Sequence, residues 1–385
     1  MRIQPVLFFV ILALLAASLA GCAPSAALPT PAAAPIPPTA VPSPPTDTPL
    51  PPTPAVMPER GTVEEGTITS PALAGNLVGD PATRRYFIYL PPSYHVSDKR
   101  YPVVYLLHAN LLPHEQWWKP LRGSLDSMIK EGKMDEMIAV FPNVAAWTGT
   151  RLTELPRLDG MAHASWLRSS PVTGDYETYL AHDLVDAIDA TYRTIAHRDS
   201  RAIGGYGCGA NGALHLALTH PDIFGAVAAE FGFFDVETEL DGMLRPFGYN
   251  PPVDSAQAVM ANSVAAVVSP NPDRPPFFLD PLVQQIDGEW GIPPDVRERI
   301  RLLNPVADLE GYANQPTRLR GISIVHPARS PGFVADVHAK PLVEAMTALG
   351  IDHEYILHDG SAFDAGVYYG FLLEFLARTL VFEEP

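Results

Sequence analysis

The run Tyr101-Pro102-Val103-Val104-Tyr105-Leu106-Leu107 carries no charged side chain on either of its alternating faces. A strand with one wet face alternates apolar and polar residues, whereas one buried on both faces reads as a continuous apolar run. This stretch therefore predicts an interior strand of a sheet covered on both sides. Comparable runs flank it. Arg85-Tyr86-Phe87-Ile88-Tyr89-Leu90 is rich in β-formers and stops at Pro91-Pro92, and Met137-Ile138-Ala139-Val140-Phe141 stops at Pro142. Further strands are expected over residues 201–203, 226–230, 321–325 and 354–357. Helical spacing falls between them, at Leu184, Ala187, Ile188 and Tyr192 and again over residues 340–349. Such alternation predicts an α/β fold with a mostly parallel central sheet flanked by helices. No internal repeat is present.

Composition fits one large domain. The 385 residues are 47% hydrophobic and 18% charged, enough to bury a full-sized core. The formal net charge of -17, from 26 basic and 43 acidic residues, opposes binding to nucleic acid or to an anionic membrane surface. The charges are scattered and form no acidic tail.

The N-terminus reads as an address. Arg2 precedes an apolar run over residues 6–20, too short to span a bilayer comfortably but of signal-peptide length. It ends in Leu19-Ala20-Gly21-Cys22, which resembles the lipobox of bacterial lipoproteins. Residues 1–21 are thus expected to be a signal peptide, with Cys22 lipidated and the protein exported to the bacterial cell envelope, periplasmic or surface-facing. The membrane is then a partner through the lipid anchor. Residues 22–58 form a linker, since 14 of the 42 prolines fall within 23–58 and Asp47 is its one charge. Such a composition favours polyproline II, which would extend to roughly 100 Å at about 3.1 Å per residue. With Cys22 modified, Cys208 has no partner for a disulfide. Residues 59–385 are expected to form the folded domain.

Within that domain the residues resemble a known family. Tyr89-Leu90-Pro91-Pro92-Ser93-Tyr94, followed by Arg100 and the Tyr101–His108 run, is similar to the opening of the esterase-D-type esterases. These include carbohydrate, feruloyl and enterochelin esterases and the mycolyltransferases. The resemblance continues through Ser165-Trp166, Ser169-Ser170-Pro171 and Gly174-Asp175-Tyr176-Glu177-Thr178-Tyr179-Leu180. It then runs through Ser200-Arg201-Ala202-Ile203-Gly204-Gly205, Gly212-Ala213-Leu214-His215 and His220-Pro221-Asp222, and ends at Leu349-Gly350-Ile351-Asp352-His353-Glu354-Tyr355. It implies an α/β-hydrolase fold over most of residues 61–385.

The family's chemistry needs a serine on a tight strand-to-helix turn, Gly-x-Ser-x-Gly. Here the turn reads Gly205-Tyr206-Gly207-Cys208-Gly209, so Gly207 stands at the nucleophile position. The resemblance places the general base at Ala362 or Phe363, neither of which can accept a proton. His358 is a candidate displaced base. Asp336 is the nearest candidate acid, although it reads equally as a first-turn helix acid. The oxyanion-hole positions are Ala109, in Leu107-His108-Ala109-Asn110, and Cys208. Cys208 is also an alternative nucleophile, because a thiolate attacks carbonyls well, but its register makes it the residue after the nucleophile.

Trp117, Trp118 and Trp166 are candidate pocket residues for a small ester, glycan or aryl ligand. Residues from about 234 to 312, rich in proline pairs and lacking sheet signals, read as a cap-like insertion. Neither a metal nor a cofactor signature is present among the 12 histidines or the glycine-rich turn, and no residue pattern names a protein partner. Three functions follow: an inactive pseudo-esterase that binds or scaffolds; a divergent ester hydrolase or acyltransferase using Cys208 or a displaced group; and a structural envelope protein with a filled cleft.

Overall fold

The computed structural model describes residues 57–109, 114–146, 162–163, 165–252, 255–328, 335–360 and 365–383. The expected signal peptide, and the linker as far as residue 56, lie outside these. Eight strands form one sheet: β1 (Thr62–Thr69), β2 (Thr83–Leu90), β3 (Val103–Leu107), β4 (Ile138–Pro142), β5 (Arg201–Tyr206), β6 (Ala226–Glu230), β7 (Gly321–Pro327) and β8 (Glu354–His358). Their order is β1-β2-β4-β3-β5-β6-β7-β8. Neighbours from β4 to β8 are parallel, while β2 runs antiparallel to β1 and to β4.

The principal helices are α1 (His114–Lys130), α2 (Leu184–Thr191), α3 (Cys208–Thr219), α4 (Val236–Leu244), α5 (Ala256–Val268), α6 (Pro294–Arg301), α7 (Ala335–Ala348) and α8 (Ala365–Thr379). The two faces of the sheet separate by the period-2 alternation of its strands. Val103, Tyr105, Leu107, Ile203, Val227, Ala229, Ile322 and Ile324 pack with residues of α2, α3 and α7. Val104, Leu106, Ala139, Phe141, Ala202, Ala226 and Ala228 pack with α1 and α8, through Leu121, Leu125, Leu372, Leu373 and Leu376. Both faces are covered, as the unbroken apolar runs require.

Two differences from the sequence reading have clear causes. β5 continues three residues past 203, because Gly204 and Gly205 hold register with Leu106 and Leu107. Glycine's weak strand propensity masks this extension, yet no other residue fits at 205. Strand β1 carries no apolar period and is largely exposed, but it pairs along its whole length with β2, from Thr62↔Leu90 to Thr69↔Thr83. Its glutamates suit an edge that must not recruit another chain. Just ahead of it, the Gly61 N–H donates to Asp126 Oδ1 at 2.9 Å and the Gly61 carbonyl accepts from Arg122 Nη2 at 2.9 Å.

The insertion contributes α4, α5 and α6 and packs its apolar sides over the carboxyl ends of the central strands. There Val236, Leu240, Met260, Val264, Val296 and Ile300 join Ala109, Tyr206, Cys208, Phe231, Phe233 and Val325 in one cluster. The expectation of no sheet in this region is corrected: Gln284–Ile286 and Glu289–Gly291 pair as a small antiparallel hairpin. Three residues per strand around Asp287-Gly288 are too few to give an alternating pattern.

Leu214 of α3 is fully buried against the sheet. Leu214→Ala is expected to lower unfolding stability by about 2–5 kcal/mol through lost transfer energy and a residual cavity. Urea titration followed by circular dichroism measures this, with the slope unchanged if only the native packing has suffered.

Candidate functional site

Gly207 links β5 to α3 with φ +59 and ψ -120, a conformation that side chains with a Cβ adopt only under strain. Its N–H donates to the Glu230 carbonyl at 3.1 Å, and its own carbonyl accepts from Ala210 N–H at 3.2 Å. The flanking glycines are sterically required. A Cβ at 205 would lie 2.3 Å from Gly209 O, and one at 209 would lie 2.2 Å from Leu107 O. At 207 itself the space is more forgiving, with Ala109 Cβ at 3.2 Å and a Phe233 ring carbon at 3.6 Å. The turn that exposes a nucleophile is therefore present, and the residue at its apex has no nucleophilic atom.

Cys208 begins α3 and is fully buried, within the cluster that contains Ala109, Trp166 and Phe233. Ala109 is also buried, and the loop holding it is fixed by His108. That ring accepts from Val144 N–H through Nε2 at 3.1 Å, leaving Nδ1 to donate to Ala109 O at 3.0 Å.

Of the remaining candidate positions, the described residues include Asp336 and His358. Asp336 lies in the first turn of α7, exposed and 3.7 Å from Lys340 Nζ, so it does not reach the turn. Ala362 and Phe363 lie outside the described residues. His358 ends β8, half-buried, with Nδ1 accepting from Gly360 N–H at 3.0 Å and its ring edge-on to Tyr368 at 4.9 Å.

Two of the three candidate pocket tryptophans have described side chains. Trp118 packs on Phe87 at 5.7 Å between centroids, joins the α1 side of the core and lines a surface cavity with Arg60, Lys119, Arg122 and Lys130. It sits on the opposite side of the sheet from α3, because α1 covers that face. Trp166 is fully buried, with φ +51, and offers no free face to a ligand. The side chain of Trp117 lies outside the described residues.

Sequence reasoning missed a buried polar group at the carboxyl edge of the sheet. His326 of β7 and His338 of α7 are 1% and 3% exposed, with ring centroids 6.3 Å apart. Phe231 lies 5.4 Å from His326, and Phe233, the ring over Gly207, lies 6.0 Å from His338. Burial lowers the His326 pKa to about 4, so the ring is neutral at neutral pH. His338 Nε2 lies 3.4 Å from Glu239 Oε2, contributed by α4. These residues are scattered over three elements, so no local spacing announces them. Among the described residues no group of three or more His, Cys, Asp or Glu is placed to hold a metal ion.

Glu230, paired in register with Tyr206, is buried, and neither carboxyl oxygen has a hydrogen-bond partner among the described residues. Burial foremost, then the charge of Glu354, pushes its pKa well above the usual carboxylate range. Burial therefore favours the protonated form of this carboxyl in the folded state.

Comparisons agree with this geometry. Residues 81–272 match the model of the family described as "Putative esterase". An esterase of Mycobacterium tuberculosis is 29% identical over 150 residues, which span 38% of this chain and 28% of that protein. Less than a third of the length of such curated relatives is therefore represented. Among solved structures, a ferulic acid esterase superposes with a TM-score of 0.56 at 20% identity, covering 83% of this chain and 99% of its own. An S-formylglutathione hydrolase from Agrobacterium tumefaciens does so with a TM-score of 0.54 at 17% identity, covering 83% and 96%. These likenesses show the fold.

The raised pKa of Glu230 has a defined sign. A carboxyl harder to ionise when folded contributes fully below its unfolded pKa, and its contribution is lost as pH rises towards the folded value. In Glu230→Gln, which keeps shape and removes ionisation, the fall in stability above about pH 4.5 is expected to flatten. Thermal melts of both proteins between pH 4 and 9 test this, and parallel curves would refute it.

Proposed function

We propose, from the premise that this chain belongs to the esterase family of α/β-hydrolases, that it is a pseudo-esterase retaining the fold for binding or scaffolding. One observation carries the reading: the apex of the nucleophile turn is Gly207, at φ +59. Loss of the nucleophile of a serine hydrolase costs about 2 × 10⁶ in kcat, with a residual 10³–10⁴ over water from binding and oxyanion donors. Acyl-enzyme chemistry at Gly207 has no atom to proceed through.

The thiol alternative is disfavoured by burial. Cys208 is inaccessible, and a low-pKa reactive cysteine is ordinarily part-exposed beside a cation. A third reading, a structural protein with a filled cleft, has Phe233 in its favour, because that ring stands where substrate would approach Gly207. The ligand of a retained cleft would be a small ester, a glycan or an aryl compound. We further read the chain as exported and held at the cell envelope through lipid on Cys22, with residues 22–58 as a stalk for the domain that follows.

Two experiments test this. The protein is expected neither to hydrolyse p-nitrophenyl acyl esters above buffer nor to be labelled by a fluorophosphonate. Gly207→Ser is expected to remain inactive and to lose about 1–3 kcal/mol of stability through its strained φ. Ester hydrolysis that vanishes in Cys208→Ala would sink the pseudo-esterase reading. For the anchor, cells fed labelled palmitate are expected to incorporate it into the natural chain. Cys22→Ser should abolish the label and release the protein from the membrane fraction; label retained by that variant would exclude the assignment.

A further inference from the structure

Four cations, Arg60, Lys119, Arg122 and Lys130, line one surface cavity of about 460 Å³ on the outer side of α1. Helical spacing gathers three of them. Steps of four residues put Arg122, Asp126 and Lys130 on one ridge of the helix and Lys119, Gly123 and Ser127 on the next. Arg60 joins them from the chain just ahead of β1. Two carboxylates share the lining, Glu59 and Asp126. Asp126 is already engaged: it accepts from Gly61 N–H and from the Tyr89 hydroxyl, each at 2.9 Å, with Arg122 Nε 3.7 Å away. Arg60, Lys119 and Lys130 are exposed and make no ion pair with a carboxylate among the described residues.

Four cations against two carboxylates leave the cavity with two positive charges in excess. The chain as a whole stands at -17, but in about 0.1 M salt charges more than about 10 Å away are largely screened. The local excess therefore governs what enters. Two of the cations are steadied in place. Arg122 Nη2 donates to the Gly61 carbonyl at 2.9 Å, and Lys119 Nζ lies 5.7 Å from the centre of the Trp118 ring, which also lines the cavity. Gly123 is the odd residue here. It sits exposed inside a 17-residue helix, and a Cβ added to it would meet nothing within 4 Å. Glycine weakens a helix relative to alanine, and no neighbour demands it at this position. What the missing side chain provides is an open floor between Lys119 and Ser127.

We propose that this cavity binds a phosphate monoester over Gly123, held by Arg60, Lys119, Arg122 and Lys130. Ammonium and guanidinium groups are the side chains that hold phosphate oxygens. The phosphate dianion matches the two excess charges, whereas a monocarboxylate would balance only half of them. Cavities of about 300–1,000 Å³ take small organic ligands, so the volume leaves room beside Trp118 for the esterified group. A soluble phosphate ester and the head group of phosphatidic acid both present this chemistry. The inference does not depend on the esterase reading, since α1 covers the face of the sheet opposite α3.

The test is a calorimetric titration of the full chain in detergent, at about 0.1 M salt. The probes are glycerol 3-phosphate and dihexanoyl phosphatidic acid, with dihexanoyl phosphatidylcholine, a diester offset by its choline, as control. Saturable binding of the two monoesters and none of the control is expected, weakening as salt is raised. Equal affinity for the two monoesters identifies a soluble ligand, and phosphatidic acid bound at least about tenfold tighter identifies a lipid. Lys119→Ala combined with Lys130→Ala should weaken binding by about 10–100-fold. Gly123→Glu, which fills the floor with a like charge, should abolish binding while melting no lower than the natural protein, so that loss of fold cannot account for the result. No saturable heat with either monoester, equal binding of the phosphatidylcholine, or undiminished affinity in both variants would overturn the proposal.

Discussion

The close approach of α3 to the ends of β3 and β5 is the constraint on which the rest depends. Gly209 can sit against the Leu107 carbonyl, and Gly205 against the Gly209 carbonyl, only because neither carries a Cβ. That contact forces the intervening residue into positive φ and directs the start of a buried helix at the carboxyl edge of the sheet. Everything at that edge is arranged around it, from the His108 loop to the insertion. The geometry is present with a glycine at its apex. Its maintenance is therefore accounted for by packing of α3, eleven of whose residues are buried.

On the proposed reading, the glycine that relieves strain at position 207 is also the residue that leaves the turn without a nucleophilic atom. A serine there must be held in place against its own backbone preference, and the surrounding structure compensates for that cost. Glycine removes the cost. Asp336 is turned to solvent beside Lys340, and an aromatic ring, Phe233, rests over the apex.

Much of the architecture was legible because buried parallel strands leave an unmistakable mark. The runs at 103–107, 138–142 and 226–230 carry no alternation, and their positions are close to those observed. The charged edge strand β1 and the glycine end of β5 were not legible, since their residues are chosen for solubility and for close approach. At the site, the vacancy at 207 could be read from one letter. The fate of Trp118 and Trp166 could not, because which face a tryptophan occupies is set by helices far off in sequence. His326, His338 and Glu239 come from three separate elements and become neighbours through topology alone.

The hydrogen bonds at Gly61 have a mechanical consequence. The first strand starts one residue later and lies at the sheet's edge, where a pull on the preceding chain would peel it from β2. Asp126 and Arg122 grip both the N–H and the carbonyl of that single residue from α1. Load arriving along the preceding chain is thus passed to a 17-residue helix before it reaches the first rung of the β1–β2 ladder. The junction behaves as a strain relief, the collar that keeps a cable from tearing at its socket.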